Sequence, residues 1–133
     1  VRLLLDTHIW IWNSAAPDKL GKRVARVIAN EENELWLSPI SIWELSVLVA
    51  ERRIELDDGI ETWVARTLTQ TIYREAPLTN EVVLEVAKIR FSHRDPADYF
   101  IAASAKVFDL TLVTADPRLL ALKSQGLAVM SNR

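Results

Sequence analysis

The chain is predicted to be an α/β protein with a small central parallel sheet sandwiched between helices, and three observations predict it. Short unbroken apolar runs recur, such as Leu3, Leu4 and Leu5, and these are too continuous for a half-exposed strand but suit a parallel strand buried on both faces. Segments with apolar residues at helical spacing lie between them. Turn signals separate the two kinds of segment, with no low-complexity tract, internal repeat or long linker. Strands alternating with helices imply a parallel sheet covered on both sides.

The first strand, Leu3 to Leu5, stops at Asp6. Residues 19–29 follow as an amphipathic helix, with Leu20, Val24, Val27 and Ile28 on one side and Lys19, Lys22, Arg23 and Arg26 on another. Leu35, Trp36 and Leu37 form the second strand, which Ser38 and Pro39 break before a helix starting at Ser41. Helical patterns follow over 59–70 (Ile60, Trp63, Val64, Leu68) and 80–90 (Val82, Val83, Val86, Ile89), both read as core-facing. Residues 99–108 are apolar on nearly every side, and Asp95 with Pro96 marks the start of this buried central helix. Leu110, Leu112 and Val113 give another strand, Pro117 opens a short helix that Gly126 closes, and 127–130 form the last strand.

At 133 residues, half of them hydrophobic, the chain is read as one domain over 1–133. A chain of this size buries roughly two-thirds of its unfolded surface, enough for a core without covalent staples. The absence of cysteine excludes disulfides, thiolate metal sites and cysteine nucleophiles. No membrane span or signal peptide is recognisable, so a soluble, cytoplasmic protein is expected. Sixteen basic and eighteen acidic residues leave a net charge of -2, so a phosphate-bearing partner would need a local patch or a bound cation.

The acids carry the chemical signal. In open α/β sheets, sites lie outside the carboxyl ends of strands, and Asp6 and Asp116 both follow predicted strands. Glu44 and Asp98 fall in the first turns of predicted helices, so the four could face one cleft. Each has a purely structural reading: Ser41 with Glu44 is a capping box, and Asp95 with Pro96 and Asp116 with Pro117 are helix caps, worth about 0.5–2 kcal/mol apiece. Asp6 resists that reading, because a lone carboxylate at the end of a buried strand is costly. Two ionised carboxylates about 4 Å apart repel by roughly 4 kcal/mol at an effective dielectric of about 20, so a convergent cluster must take up protons or cations. All-oxygen ligands suit Mg²⁺ or Mn²⁺ rather than zinc, and such a centre suits phosphodiester hydrolysis.

Four segments, LLLDTHIWIW, SPISIWEL, HRDPADYFIAASA and LVTADPRL, resemble in order the acidic motifs of PIN-domain ribonucleases, specifically the VapC-like toxins. The resemblance implies a PIN-like fold and an Mg²⁺- or Mn²⁺-dependent endoribonuclease cutting RNA. Asp6, Glu44, Asp98 and Asp116 become the metal-binding and catalytic quartet. It also implies a VapB-like antitoxin, whose C-terminal segment crosses the toxin and can place a basic side chain among the acids, and a homodimer. Asp95 is an alternative or supporting ligand; Asp98 is preferred because the apolar helix follows it directly. Thr114 and Thr7 are candidates for orienting a carboxylate or a metal-bound water.

Other residues have bland readings beside functional ones. His8 could bond an active-site group, with a structural or surface role favoured. His93 and Arg94 could touch an RNA phosphate, against a solvated loop, and Lys19, Lys22, Arg23 and Arg26 could track a phosphate backbone, against a solvated helix face. Trp36 is assigned to the core, whereas pattern alone does not assign Trp10, Trp12, Trp43 and Trp63 all inward, and an exposed cluster of them would mark a partner groove or a dimer interface. Two rivals stay open: a non-catalytic PIN-like module binding RNA or protein, and a phosphatase or phosphoacceptor domain, which lacks a second acid beside Asp6 and a late-strand lysine.

Overall fold

The computed structural model, covering residues 1–133, contains a five-stranded sheet in the order β3-β2-β1-β4-β5, every pairing parallel. The strands are β1 (Arg2–Leu5), β2 (Glu34–Leu37), β3 (Arg74–Glu75), β4 (Thr111–Thr114) and β5 (Val129–Ser131). Seven helices connect them: α1 (Thr7–Ala15), α2 (Lys22–Ala29), α3 (Pro39–Ala50), α4 (Ile60–Gln70), α5 (Asn80–Val86), α6 (Pro96–Val107) and α7 (Pro117–Leu120). This is the α/β architecture expected. Strand order reverses between β1 and β4, so their carboxyl ends flank the crevice where such sheets place their sites.

Period-2 alternation divides the core. Leu3 and Leu5 of β1 pack with Ile9, Trp10, Val24, Leu45, Leu48 and Trp63 on one face. Leu4 points the other way, into Ile101, Ala102, Ala105, Leu112, Leu119 and Leu122. Because β1 is central and covered on both sides, all three leucines are fully buried, which is why the run is continuous rather than alternating.

Several boundaries differ from expectation for identifiable reasons. No helix was expected over 7–15, where Ile and Trp crowd together without an apolar stripe. A helix forms because Asp6 caps it, its carboxylate accepting from Thr7 N, and because burial of Ile9, Trp10 and Ile11 overrides middling propensity. The 19–29 helix begins only at Lys22: Pro17–Lys19 forms a 3-10 turn, which removes Lys19 from the helical face. The helix expected from Ser41 begins two residues earlier, with Ser38 as the cap bonding Ile40 N and Pro39 in its first turn. The Ser41–Glu44 capping box is therefore corrected: Glu44 lies beyond the first turn of α3 and lines the cleft, while Ser41 is buried against Thr7. α5 ends at Val86, continued by i→i+3 turns through Ile89, and Val83 is 48% exposed rather than core. Leu68 of α4 is likewise exposed. Trp36 is only half-buried: it stacks on Phe108 and donates its Nε1 hydrogen to Glu34. β3, two residues long, left no readable pattern.

The chain's last residues close the β5 edge onto α2. Asn132 accepts from Gly21 N through Oδ1 at 2.8 Å and donates to Lys19 O at 3.1 Å, while Arg133 O accepts from Val24 N at 3.0 Å. That last bond satisfies an amide at the start of α2, whose cap Gly21 has no side chain to do so. A Cβ on Gly21 would collide with the Arg133 backbone, whereas nothing lies within 4 Å of one on Gly59. Both glycines cap helices at φ near -60°, so Gly59→Ala isolates the capping cost. Gly21→Ala is expected to lower unfolding stability further, by about 1–3 kcal/mol, in parallel denaturant titrations; equal losses would show that the C-terminal clasp contributes nothing.

Candidate metal centre

The β1 and β4 ends build one side of the site. Asp6 leaves a buried strand, its backbone N–H still donating to Val113 O, and both carboxylate oxygens are fixed. Oδ1 accepts from Thr7 N at 2.8 Å and Oδ2 from the Thr114 hydroxyl at 2.6 Å. The Thr114 oxygen also accepts from Asp116 N at 3.0 Å, so one buried hydroxyl ties the two strand-end acids together. The Thr7 hydroxyl donates to Ser41 at 2.9 Å, pinning α1 to α3 beside Glu44.

The opposite side comes from α3 and α6. Asp95 caps α6, accepting from Ala97 N at 3.1 Å, and Asp98 is buried in its first turn. One carboxylate oxygen from each of Glu44, Asp95 and Asp98 lies within 4.8 Å of the others. Asp6, Glu44, Asp95, Asp98 and Asp116 all line one cleft of about 330 Å³, joined by His8, Arg53 and Arg118. Thus all four expected acids converge, and Asp95 both caps a helix and belongs to the closest carboxylate group. Asp116 also caps its helix, accepting from Arg118 N; capping and a place in the site coexist because the cleft is built from helix starts.

Three residues went unassigned or under-read. His93 is not a solvated loop residue: its side chain is 9% exposed and Nε2 lies 2.6 Å from Asp98 Oδ2, with Tyr99 donating to its carbonyl at 2.6 Å. Its position five residues before Asp98, just outside a helix start, is the only sequence sign that it could fold back. Arg118 grips Asp116 with Nε at 3.2 Å and a terminal nitrogen at 2.9 Å; it was hidden in the Pro117 helix start. Arg53, just beyond α3, carries no such signal. Arg94 is exposed on the loop before Asp95, and Lys19, Lys22, Arg23 and Arg26 are exposed away from the cleft lining.

The electrostatics fit cation capture. Burial raises Glu44 to about 7, with Asp6, Asp95 and Asp98 adding repulsion against the lowering effect of the Thr7 hydroxyl. Burial raises Asp98 to about 6, again with repulsion from Asp6, Asp95 and Asp116, offset in part by His93. Asp6 is raised chiefly by burial. Asp116 departs from the pattern: burial pushes it up, but the Arg118 contacts outweigh this and hold it below the usual carboxylate value. Raised acids facing one another, all offering oxygen, match a hard divalent ion.

An open parallel sheet with an acidic crevice at its switch point is the arrangement of the PIN domain, whose family profile matches residues 3–124; the chain belongs to that family. Among its relatives is Ribonuclease VapC22 of Mycobacterium tuberculosis (strain ATCC 25618 / H37Rv), 32% identical over 118 residues, covering 88% of each chain. The fold matches VapBC2 from Rickettsia felis, solved bound to a promoter DNA fragment, with a TM-score of 0.71 at 17% identity over 98% of both chains. FitAcB from Neisseria gonorrhoeae matches with a TM-score of 0.67 at 27% identity, covering 98% of this chain and 97% of that one.

Protons retained by raised acids set the pH response. In the fold, Glu44 titrates at about 7 and Asp98 at about 6, against ordinary values of 4.5 and 3.8. The folded state therefore holds protons that the unfolded chain has lost, and stability falls as pH rises through that interval. Asp116, lowered, acts oppositely and only below its ordinary 3.8. In EDTA the melting temperature is expected to drop between pH 5 and pH 8, and Mn²⁺ to restore more of it at pH 8; a flat or rising melting temperature in EDTA would contradict this account.

Proposed function

We propose that this protein is a divalent-cation-dependent endoribonuclease, the toxin of a toxin–antitoxin pair, which hydrolyses RNA phosphodiesters in the acidic cleft. The observation carrying this reading is the convergence of Glu44, Asp95 and Asp98 oxygens within 4.8 Å of one another, in a cleft that also holds Asp6 and Asp116. Identity of 32% with a ribonuclease over most of the chain supports it.

Glu44, Asp95 and Asp98 would hold the cation, Mg²⁺ or Mn²⁺, with Asp6 and Asp116 completing the acidic wall. When bound, such an ion supplies a water of lowered pKa and neutralises charge on the reacting phosphate. The chain's own residues do the positioning. Thr114 holds Asp6 and the Asp116 backbone in one geometry, Thr7 fixes α1 against α3, and His93 orients Asp98. Arg118, exposed at the rim, can exchange its grip on Asp116 for a phosphate oxygen as the substrate enters. Hydrolysis adds the water oxygen to phosphorus, breaks the bond to the leaving oxygen, and returns the water's proton to that oxygen.

A VapB-like antitoxin is the proposed protein partner. α3 and α4 enclose an apolar groove of about 670 Å³ lined by Ile42, Trp43, Val64 and Leu68, and its Trp43 is 49% exposed. A helix with an apolar face fits that shape. A structural relative, VapBC-5 from Mycobacterium tuberculosis, is a member of the VapBC family of toxin–antitoxin systems. Val83 and Leu84, exposed on α5, offer an apolar face for a homodimer. No helix is long and apolar enough to cross a membrane. The proposed location is the cytoplasm, on the ground of the proposed RNA substrate alone.

Cleavage of a structured-RNA pool with Mn²⁺ tests the reading. Asp6→Asn and Asp98→Asn are expected to lose activity by more than about a hundredfold while keeping the fold, and Thr114→Val to lose about 10–100-fold, the range of residues that orient ligands. EDTA should abolish cutting by the parent. Unchanged cutting by Asp98→Asn would overturn the assignment; absence of saturable Mn²⁺ binding in calorimetry would favour the non-catalytic binding module.

A further inference from the structure

We propose that a basic pocket next to the acidic cleft, lined by Arg23, Lys123 and Arg133, seats the phosphodiester backbone of the RNA that flanks the cut; this rests on the ribonuclease reading above. The three cations come from α2, from the 3-10 turn Ala121–Gln125 and from the segment after β5, and they border a concavity of about 360 Å³.

None of the three has a carboxylate within 4.0 Å, nor do Lys19, Lys22 and Arg26 on and before α2. Outside those six the chain has ten basic residues, and of its eighteen acids Asp18 stands next to Lys19. Cations gathered around a hollow without partners repel one another, and a polyanion relieves that repulsion. Guanidinium groups fit phosphate oxygens in pairs. No aromatic side chain lines the pocket, so it would hold the backbone by charge and not stack or read a base.

Topology sets the pocket beside the cleft. β5 pairs with β4 in the register Thr114↔Ser131, and Asn132 N donates to Thr114 O at 3.1 Å. The pocket's Met130–Arg133 wall thus lies against the strand end that presents Thr114 and Asp116. From Asp116 the chain runs through α7 directly to Lys123, forming the other wall. A single strand lying in the pocket reaches the carboxylates without leaving the carboxyl edge of the sheet.

Anisotropy with a fluorescein-labelled single-stranded RNA, in EDTA so that nothing is cut, tests this on the full chain. Arg23→Gln/Lys123→Gln is expected to bind about tenfold more weakly. Its plot of log affinity against log salt should flatten by about 1.4, two phosphates at about 0.7 each. Lys88→Gln, whose lysine is already paired with Glu85, should match the parent in both respects. With Mn²⁺ the double variant should show a raised KM and an unchanged kcat. Parental affinity and salt slope in the double variant would overturn the proposal, and if the parent still cuts RNA the ribonuclease reading survives. Binding that depends on the pocket, in a Mn²⁺-loaded parent that never cuts, would uphold the pocket and defeat the ribonuclease reading instead. A parent that binds no RNA overturns both.

Discussion

The structure turns on one buried hydroxyl. Thr114 donates to Asp6 and accepts from the Asp116 backbone, so it holds together the ends of β1 and β4, the two strands between which the chain order reverses. Without a donor there, Asp6 would present an unpaired carboxylate oxygen to a largely apolar surround, a cost that proteins avoid by pairing or by protonation. With it, the acid is locked in one rotamer at the mouth of the crevice. The rest of the site is arranged around that anchor: α1 starts on Asp6, α7 starts on Asp116, and the Thr7–Ser41 bond brings α3 and Glu44 alongside.

Helix starts are economical places to build an acidic cleft. An acid in a first turn is favoured by the exposed amides and the helix dipole, which partly offsets the repulsion created by gathering carboxylates. Asp95 uses one oxygen for its cap and keeps the other available, whereas Asp116 caps with Oδ1 and has Oδ2 held by Arg118. Glu44 lies beyond the first turn of α3 and Asp98 makes no cap, and they are the pair raised to about 7 and about 6. The strain thus falls on the residues that gain most from a cation. At Asp116 the Arg118 guanidinium supplies the positive charge.

The acids were legible because each stands next to a pattern change. Asp6 and Asp116 end apolar runs, and Asp95 and Asp98 flank a proline before an apolar helix. Glu44 was found for a partly mistaken reason, since its supposed capping partner Ser41 is instead buried against Thr7, and Ser38 does the capping. α1 was not legible: its apolar residues face the core, the site and α4 together, leaving no stripe to detect. His93 was misjudged because its neighbours in sequence are polar, whereas its neighbours in space are Phe91, Tyr99 and Asp98.

By itself, the sequence determined the alternation of buried strands and helices and the parallel sheet, and it singled out four acids that line one cleft, because burial on both faces and helix capping are local constraints written in runs of a few residues. Only the tertiary structure decided which oxygens lie close enough to share an ion, that Asp95 joins Glu44 and Asp98, that Arg118 lines the cleft and that His93 folds onto Asp98. It also decided that cations from α2, the 3-10 turn and the end of the chain meet at β5. The approach of Glu44 to Asp95 and Asp98, and the meeting of α2, the 3-10 turn and the segment after β5, join residues far apart in the chain through strand register and helix packing, which no window of sequence contains.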